Sequence, residues 1–228
     1  MPDLAIVVPS RGRPANVDRL WTGFRATASN VDLIVAVDDD DPELPGYREV
    51  WARHDRMFAL GVGPRLRLVG TLNFTALAVP HRYVGFMGDD HLPRTNGWDE
   101  SYISALDAIG PGGMVYGNDL LQGPNLPTHI VMDRRIVDAL GFMAPPNLTH
   151  LYVDNFWLDV GHALGTIRYL PDVVVEHLHP VAGRAEWDST YAETNSEERY
   201  SSDERAYQEY KATRLDADVA RLREVLRG

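Results

Sequence analysis

The sequence predicts an α/β fold, a mostly parallel sheet flanked by helices, on three observations. Short apolar runs rich in β-branched residues (Leu4–Val8, Val31–Val37, Tyr83–Met87) alternate with segments of helical periodicity. The runs are apolar throughout, as strands buried on both faces are. Each is followed by a polar cluster, and open α/β sheets bind ligands beyond their strand C-termini.

In order, the first strand ends in Pro9-Ser10-Arg11-Gly12-Arg13-Pro14, and Pro14 suits the first turn of the next helix. Residues 15–28 carry Val17, Leu20, Trp21 and Phe24 at amphipathic spacing. The second strand, 31–37, runs into four acids, Asp38 to Asp41; a helix over 44–59, a short strand over 65–69 and a short helix over 71–80 follow. The third strand ends in Gly88-Asp89-Asp90-His91, ahead of a helix at 96–108, a strand at 113–116 and a loop with Gly117-Asn118-Asp119. A strand at 130–132 leads to a helix at 133–141 that stops at Gly141. A helix at 152–164 and a strand at 173–175 precede Glu176-His177-Leu178-His179-Pro180. From about residue 183 the chain is rich in charge, and residues 203–226 keep a helical pattern (Ala206, Tyr210, Leu215, Val219, Leu222, Val225). That pattern suits packing on the sheet domain or a contact between copies.

The 228 residues fit one medium domain, and 44% hydrophobic content is enough for a core. The absence of cysteine excludes a disulfide scaffold, a thiolate zinc site and a cysteine nucleophile, so any metal must use Asp, Glu, His or backbone oxygen. A net charge of −11 argues against passive coating of nucleic acid or anionic membrane. No apolar run approaches the roughly 18 residues of a membrane span. Met1-Pro2-Asp3-Leu4 lacks a signal-peptide pattern, so a soluble, cytoplasmic protein is expected. Lys211 is the only lysine; the arginines suit bidentate phosphate recognition or reflect a GC-rich genome. The first loop is neither a Walker A loop nor GxGxxG, which removes a P-loop ATPase and a Rossmann dehydrogenase.

Five clusters carry possible chemistry. Asp89-Asp90-His91 suits a hard or borderline cation, or an Asp-rich turn capping backbone N–H groups. Asp38–Asp41 suits a ribose hydroxyl or base N–H, or a solvated run. Arg11 and Arg13 suit phosphate. His177 and His179, two apart, share a strand face and can reach one site. Asp154, at the start of a helix, is an N-cap or a general base.

These motifs in this order resemble nucleotide-sugar glycosyltransferases of the GT-A fold, in the style of glycosyltransferase family 2. Ala5-Ile6-Val7-Val8-Pro9-Ser10-Arg11-Gly12-Arg13 is similar to that family's opening strand, and Leu33–Asp39 to its second strand ending in Asp-Asp. Asn73 stands where an Arg-Asn pair is common, and Tyr83–Asp90 resembles the strand ending in Asp-x-Asp, with Gly88 in place of the first Asp. Val153-Asp154 falls at the family's Glu-Asp, and His177 and His179 at its late metal ligand.

The resemblance implies a catalytic domain over 1–182, with a nucleotide-binding half to about residue 92 and an acceptor-side half over 93–182, and a C-terminal extension over 183–228. It implies sugar transfer from a nucleotide-sugar, UDP favoured, with Mn²⁺ or Mg²⁺. Pro9, Ser10, Arg11, Arg13, Asp38, Asp39 and Asn73 would serve the donor. Asp89 would reach the ribose or donor sugar, and Asp90 with His177 or His179 would hold the metal. Asp154 would be the base of an inverting transfer. Trp98 would wall the acceptor side, and Asn118 and Asp119 would meet sugar hydroxyls, Asp119 on the acceptor side. The acceptor expected is a glycan, a small molecule or hydroxymethylated bases of phage DNA, the last through an arginine face of Arg11, Arg13, Arg94, Arg134 and Arg135. A sugar-nucleotide nucleotidyltransferase and a domain that binds nucleotide or glycan without turnover are the alternatives.

Overall fold

The computed structural model describes residues 2–55, 57–179 and 196–227. Strand β1 (Leu4–Ser10) leads to helix α1 (Pro14–Thr27), which starts on Pro14 and buries Val17, Leu20, Trp21 and Phe24. Strand β2 (Val31–Asp38), helix α2 (Leu44–Arg53), strand β3 (Ala59–Gly63) and helix α3 (Arg67–Ala78) follow. Then come β4 (Tyr83–Phe86), β5 (His91–Pro93), α4 (Trp98–Ile109), β6 (Met114–Asn118), a 3₁₀ turn (Gly123–Asn125) and β7 (Ile130–Asp133). The rest is α5 (Arg134–Leu140), α6 (Val153–Leu164), β8 (Ile167–His177), α7 (Glu197–Thr213) and α8 (Leu215–Val225).

The strands form one sheet in the order β3-β2-β1-β4-β7-β6-β8-β5. β3, β2, β1 and β4 are mutually parallel; β7 is inverted between β4 and β6, β8 runs parallel to β6, and β5 lies antiparallel on β8. Two inversions cancel, so β1, β2, β4 and β8 all point their C-terminal ends the same way. That shared edge collects the polar clusters.

Successive side chains of a strand point to opposite faces. Leu4, Ile6 and Val8 pack with α1, α2 and α4, while Val7 packs with α3 and α5 to α8. The sheet is the middle layer of three. Tyr207, Tyr210, Leu215, Val219 and Leu222 lie buried in the second core, so the C-terminal helices are packed into the sheet domain. The expected domain limit at 182/183 lies outside the described residues.

The strand expected over 65–69 is corrected. Leu68, Val69, Leu72 and Ala76 share one face of α3 against the core, and the strand lies earlier, at Ala59–Gly63. The helix expected over 44–59 stops at Arg53, and the single helix over 203–226 is broken at Arg214. The late strand is longer, Ile167–His177, and β5 was not foreseen.

Candidate active site

Asp89 ties the turn after β4 to the loop after β1 and the start of α1. It accepts hydrogen bonds from Ser10 Oγ at 2.5 Å and Asn16 Nδ2 at 3.1 Å, and Arg13 lies 3.5 Å away. Tyr47 ties the first loop down, with its hydroxyl 2.8 Å from Ser10 Oγ and accepting from the Arg13 N–H at 2.8 Å. Burial, with the neighbouring Asp90 charge, raises the Asp89 pKa to about 6.

Asp90 faces two imidazoles. Its Oδ2 is 3.4 Å from His177 Nε2 and its Oδ1 is 3.3 Å from His91 Nδ1. Burial pushes its carboxyl up, but the His177 and His91 contacts outweigh that and hold it well below the ordinary value. The pairing comes from register: His91 opens β5 directly opposite His177 at the end of β8. The three residues present ligand atoms within 4.8 Å of one another. The rings of His91 and His177 stack at 4.3 Å. Two donors 3.4 Å apart suit one cation with bonds of about 2.1 Å. An oxygen–imidazole set favours a borderline ion such as Mn²⁺ over Mg²⁺.

His91 is held on its other side as well. The Gly88 N–H donates to His91 Nδ1 at 3.1 Å, and His91 Nε2 is 3.4 Å from Thr128 Oγ1, which donates to Asp119 Oδ2 at 2.9 Å. These contacts brace His91 beside the Asp90–His177 pair. A Cβ at Gly88 would lie 2.4 Å from Asp90 Oδ1 and 3.1 Å from His91 Nδ1, so glycine leaves room for both.

Asp38 accepts from Arg11 at 2.7 Å, and Asp40 shares the same guanidinium at 2.6 Å. Asp39 is exposed, with its N–H bonded to Gly63 O. Asp41 accepts from the Gly12 and Glu43 N–H groups, joining the first two loops. Pro9 lies in β1, beside these loops. His179 follows β8, its ring 5.1 Å from that of His177. Asp154 is half-buried in the first turn of α6; burial raises its pKa, and it lies close enough to feel the His177 charge. The cap position itself belongs to Tyr152.

Three of the expected site residues hydrogen-bond to backbone. Asn73 accepts from the Met143 and Ala144 N–H groups and donates to Ala144 O. Asn118 accepts from the Leu120 N–H, and Asp119 from those of Leu121, Gln122 and Gly123. Trp98 is corrected: it is fully buried against Phe24 and Tyr102 and has no face to offer an acceptor. The arginine face is corrected too. Arg11, Arg13, Arg94, Arg134 and Arg135 each lie within ion-pair distance of a carboxylate, so none of them is an uncompensated charge.

Asn16, Tyr47 and Thr128 were not foreseen among these contacts, whereas His91 was read as part of the Asp89-Asp90-His91 cluster. A cleft of about 290 Å³ opens beside the site loops, between α3 and residues 146–149, and is lined by Arg67, Asn73 and Thr149 among others. A larger one of about 450 Å³, along α1 and β5, contains none of the candidate site residues. Among the described residues no helix is long and apolar enough to cross a membrane.

No protein-family model matches the sequence, and no curated protein is similar to it. Solved structures are similar in fold. A mannosyltransferase from Pyrobaculum calidifontis, in complex with GDP-Man and Mn²⁺, aligns with a TM-score of 0.62 at 13% identity over 98% of this chain and 74% of its own. S. aureus TarS 1–349 in complex with UDP-GlcNAc gives 0.57 at 11% identity over 77% of this chain and 57% of its own. A putative nucleotide-diphospho-sugar transferase from Desulfovibrio desulfuricans gives 0.52 at 14% identity, over 97% of this chain and 99% of its own. With its clusters of carboxylates and imidazoles gathered at the strand C-termini, the chain has the GT-A fold of nucleotide-sugar glycosyltransferases.

Proposed function

We propose that the protein is a metal-dependent glycosyltransferase that moves a sugar from a nucleoside-diphosphate sugar to an acceptor hydroxyl. The observation that carries this reading is the convergence of Asp90, His91 and His177 beside Asp89 and Ser10, in a fold shared with a GDP-Man and Mn²⁺ complex.

In this reading the loops after β1 and β2 receive the nucleoside, through Pro9, Ser10, Asp38 and Asp39, with Arg11 and Arg13 on the phosphate side. Asp89, poised by burial and held by Ser10 and Asn16, reaches the ribose or donor sugar. Asp90 and His177, with His91 as brace and His179 beside them, would hold the cation. A bound divalent cation supplies positive charge for the departing diphosphate. The acceptor oxygen attacks the anomeric carbon while the bond from that carbon to the diphosphate oxygen breaks, its electron pair leaving with the nucleotide. The hydroxyl proton passes to Asp154. Its burial-raised pKa makes it a better proton acceptor than an exposed aspartate. Asn73, Asn118 and Asp119 shape the loops around the sugar. The acceptor is a glycan or small molecule.

A thermal-shift panel of UDP-, GDP-, TDP- and CMP-sugars with and without Mn²⁺ tests this. The expected result is Mn²⁺-dependent stabilisation by one nucleotide class and slow release of its sugar to water. A protein stabilised by none of them would not be a nucleotide-sugar transferase.

A further inference from the structure

Asp119 directly follows β6 and is 1% exposed. Its two carboxylate oxygens have different partners. Oδ1 accepts from the backbone N–H groups of Leu121 at 3.0 Å, Gln122 at 2.8 Å and Gly123 at 2.8 Å, which fixes the turn that follows. Oδ2 accepts from the Thr128 hydroxyl at 2.9 Å. Burial pushes the carboxyl up, but these hydrogen bonds outweigh it and keep Asp119 below the ordinary aspartate value.

Asp119 reaches both imidazoles beside Asp90. Its carbonyl oxygen accepts from the His177 N–H at 2.9 Å, and the Asp90 carbonyl accepts from the Leu178 N–H at 2.8 Å, so the end of β8 is tied on both sides. The second reach runs through Thr128, whose Oγ1 lies 3.4 Å from His91 Nε2. A carboxylate only accepts, so Thr128 gives its proton to Asp119 and turns lone pairs toward His91. Thr128 is fixed in turn by its neighbour. The buried His129 accepts from the Gly117 N–H at 3.2 Å, with the Tyr102 hydroxyl 2.7 Å from the same nitrogen, and its ring packs 5.4 Å from that of His91. His91 is itself buried, enclosed by Thr128 and His129.

Resting on the transferase reading above, we propose that Asp119 is a positioning residue of the metal site. It holds His177 through its carbonyl and His91 through the Thr128 hydroxyl, so both imidazoles are set around Asp90 before a cation binds. Residues that orient a ligand set without joining it act on metal affinity. One carboxylate thereby anchors the turn at 120–123 and the geometry of the cation site together.

The test is Mn²⁺ affinity, read by calorimetry with and without UDP or GDP, together with the visible absorption of Co²⁺ bound in its place. Thr128→Val keeps the side-chain shape and loses the hydroxyl; it weakens Mn²⁺ binding about tenfold or more and shifts the Co²⁺ bands. Thr128→Ser restores the hydroxyl and stays closer to wild type in both readouts. Asp119→Asn keeps an oxygen for the turn and places an amide N–H₂ opposite Thr128, which reverses that hydrogen bond. It weakens Mn²⁺ in the same direction, and the double variant with Thr128→Val is no weaker than the weaker single variant. Melting curves confirm that each variant is folded; if Asp119→Asn does not fold, the Thr128 pair decides. Wild-type Mn²⁺ affinity and Co²⁺ bands in a folded Thr128→Val protein overturn the link to His91. Equal losses in Thr128→Ser and Thr128→Val, or multiplying effects in the double variant, overturn the relay from Asp119. If the wild type binds neither metal ion, with or without nucleotide, the metal-dependent reading falls and takes this one with it; wild-type binding with an indifferent Thr128→Val removes this one alone.

Discussion

Gly88→Ala tests how Asp90, the carboxylate proposed to hold the metal, is kept in place. The new methyl carbon would lie 2.4 Å from Asp90 Oδ1 and 3.1 Å from His91 Nδ1, where ordinary contact begins at 3.4 Å. Gly88 is not among the positive-φ residues, so the backbone tolerates alanine and the cost falls on those two neighbours. Asp90 escapes only by leaving its rotamer, which costs about 0.5–1.5 kcal/mol, and in doing so departs from His177. Disturbing the surroundings of a metal ligand costs about 10–100-fold in affinity. Titration of Mn²⁺ by calorimetry, with UDP present, reads this directly. The expected result is Mn²⁺ affinity weakened within that range, with the protein still folded by circular dichroism. Wild-type Mn²⁺ affinity in a folded Gly88→Ala protein would refute the argument that Gly88 makes room for a metal-binding Asp90.

Asp90→Ala removes the carboxylate of the metal pair and abolishes Mn²⁺-dependent nucleotide binding, read as loss of the Mn²⁺-induced thermal shift. Asp154→Asn keeps donor affinity but lowers sugar release or transfer by about 10²-fold or more, as loss of a general base does; near-normal turnover would assign the base elsewhere. Leu222→Ala, at a fully buried position shared with α6, costs about 2–5 kcal/mol in urea unfolding, and a change below about 0.5 kcal/mol would show the C-terminal helices to be loosely attached. His150→Gln changes the acid side of the stability curve. The folded pKa of about 4 lies below the unfolded value near 6.5, so the unfolded chain binds more protons between them. That stability is full above about pH 6.5 and is lost as pH falls toward 4, up to about 3 kcal/mol. The variant, lacking the titrating group that faces Asp203, Arg199, Arg13 and Asp90, loses less between pH 7 and 4.5 in urea midpoints.

The parallel half of the sheet was legible because a strand covered on both faces needs an unbroken apolar run, and Leu4–Val8, Val31–Val37 and Tyr83–Met87 have one. β3 carries no such signal. It is the sheet's exposed edge, with two glycines in five residues, and nothing there demands a buried side chain. β5 is three residues long and is defined only by its partner β8. In the site, Asp90 and His177 stood out by residue type, while their pairing depends on a register between residues far apart in sequence. Asn73 and Asp119 were read as ligand contacts because their side chains use the same donors and acceptors on a sugar as on a backbone amide. Trp98 was misplaced for a related reason: an aromatic ring near a motif fits a core as well as a substrate wall. The grip of Asp203 on the backbone of residues 149–151 gave no local sign, since it exists only once α7 has docked.

The docking of α7 also sets an order in time. A ribosome presents Asp154 roughly 50 residues before Asp203, an interval of about 2.5–10 s at ordinary elongation rates. Through that interval the nascent chain has the loops after β1 and β2 but not the Asp203 carboxylate that holds the approach to α6, nor the cover that Tyr210 and Leu222 give Phe156 and Trp157. Synthesis therefore passes through a species with an open apolar face, the form most exposed to aggregation and to chaperone capture, until α7 and α8 have emerged and docked.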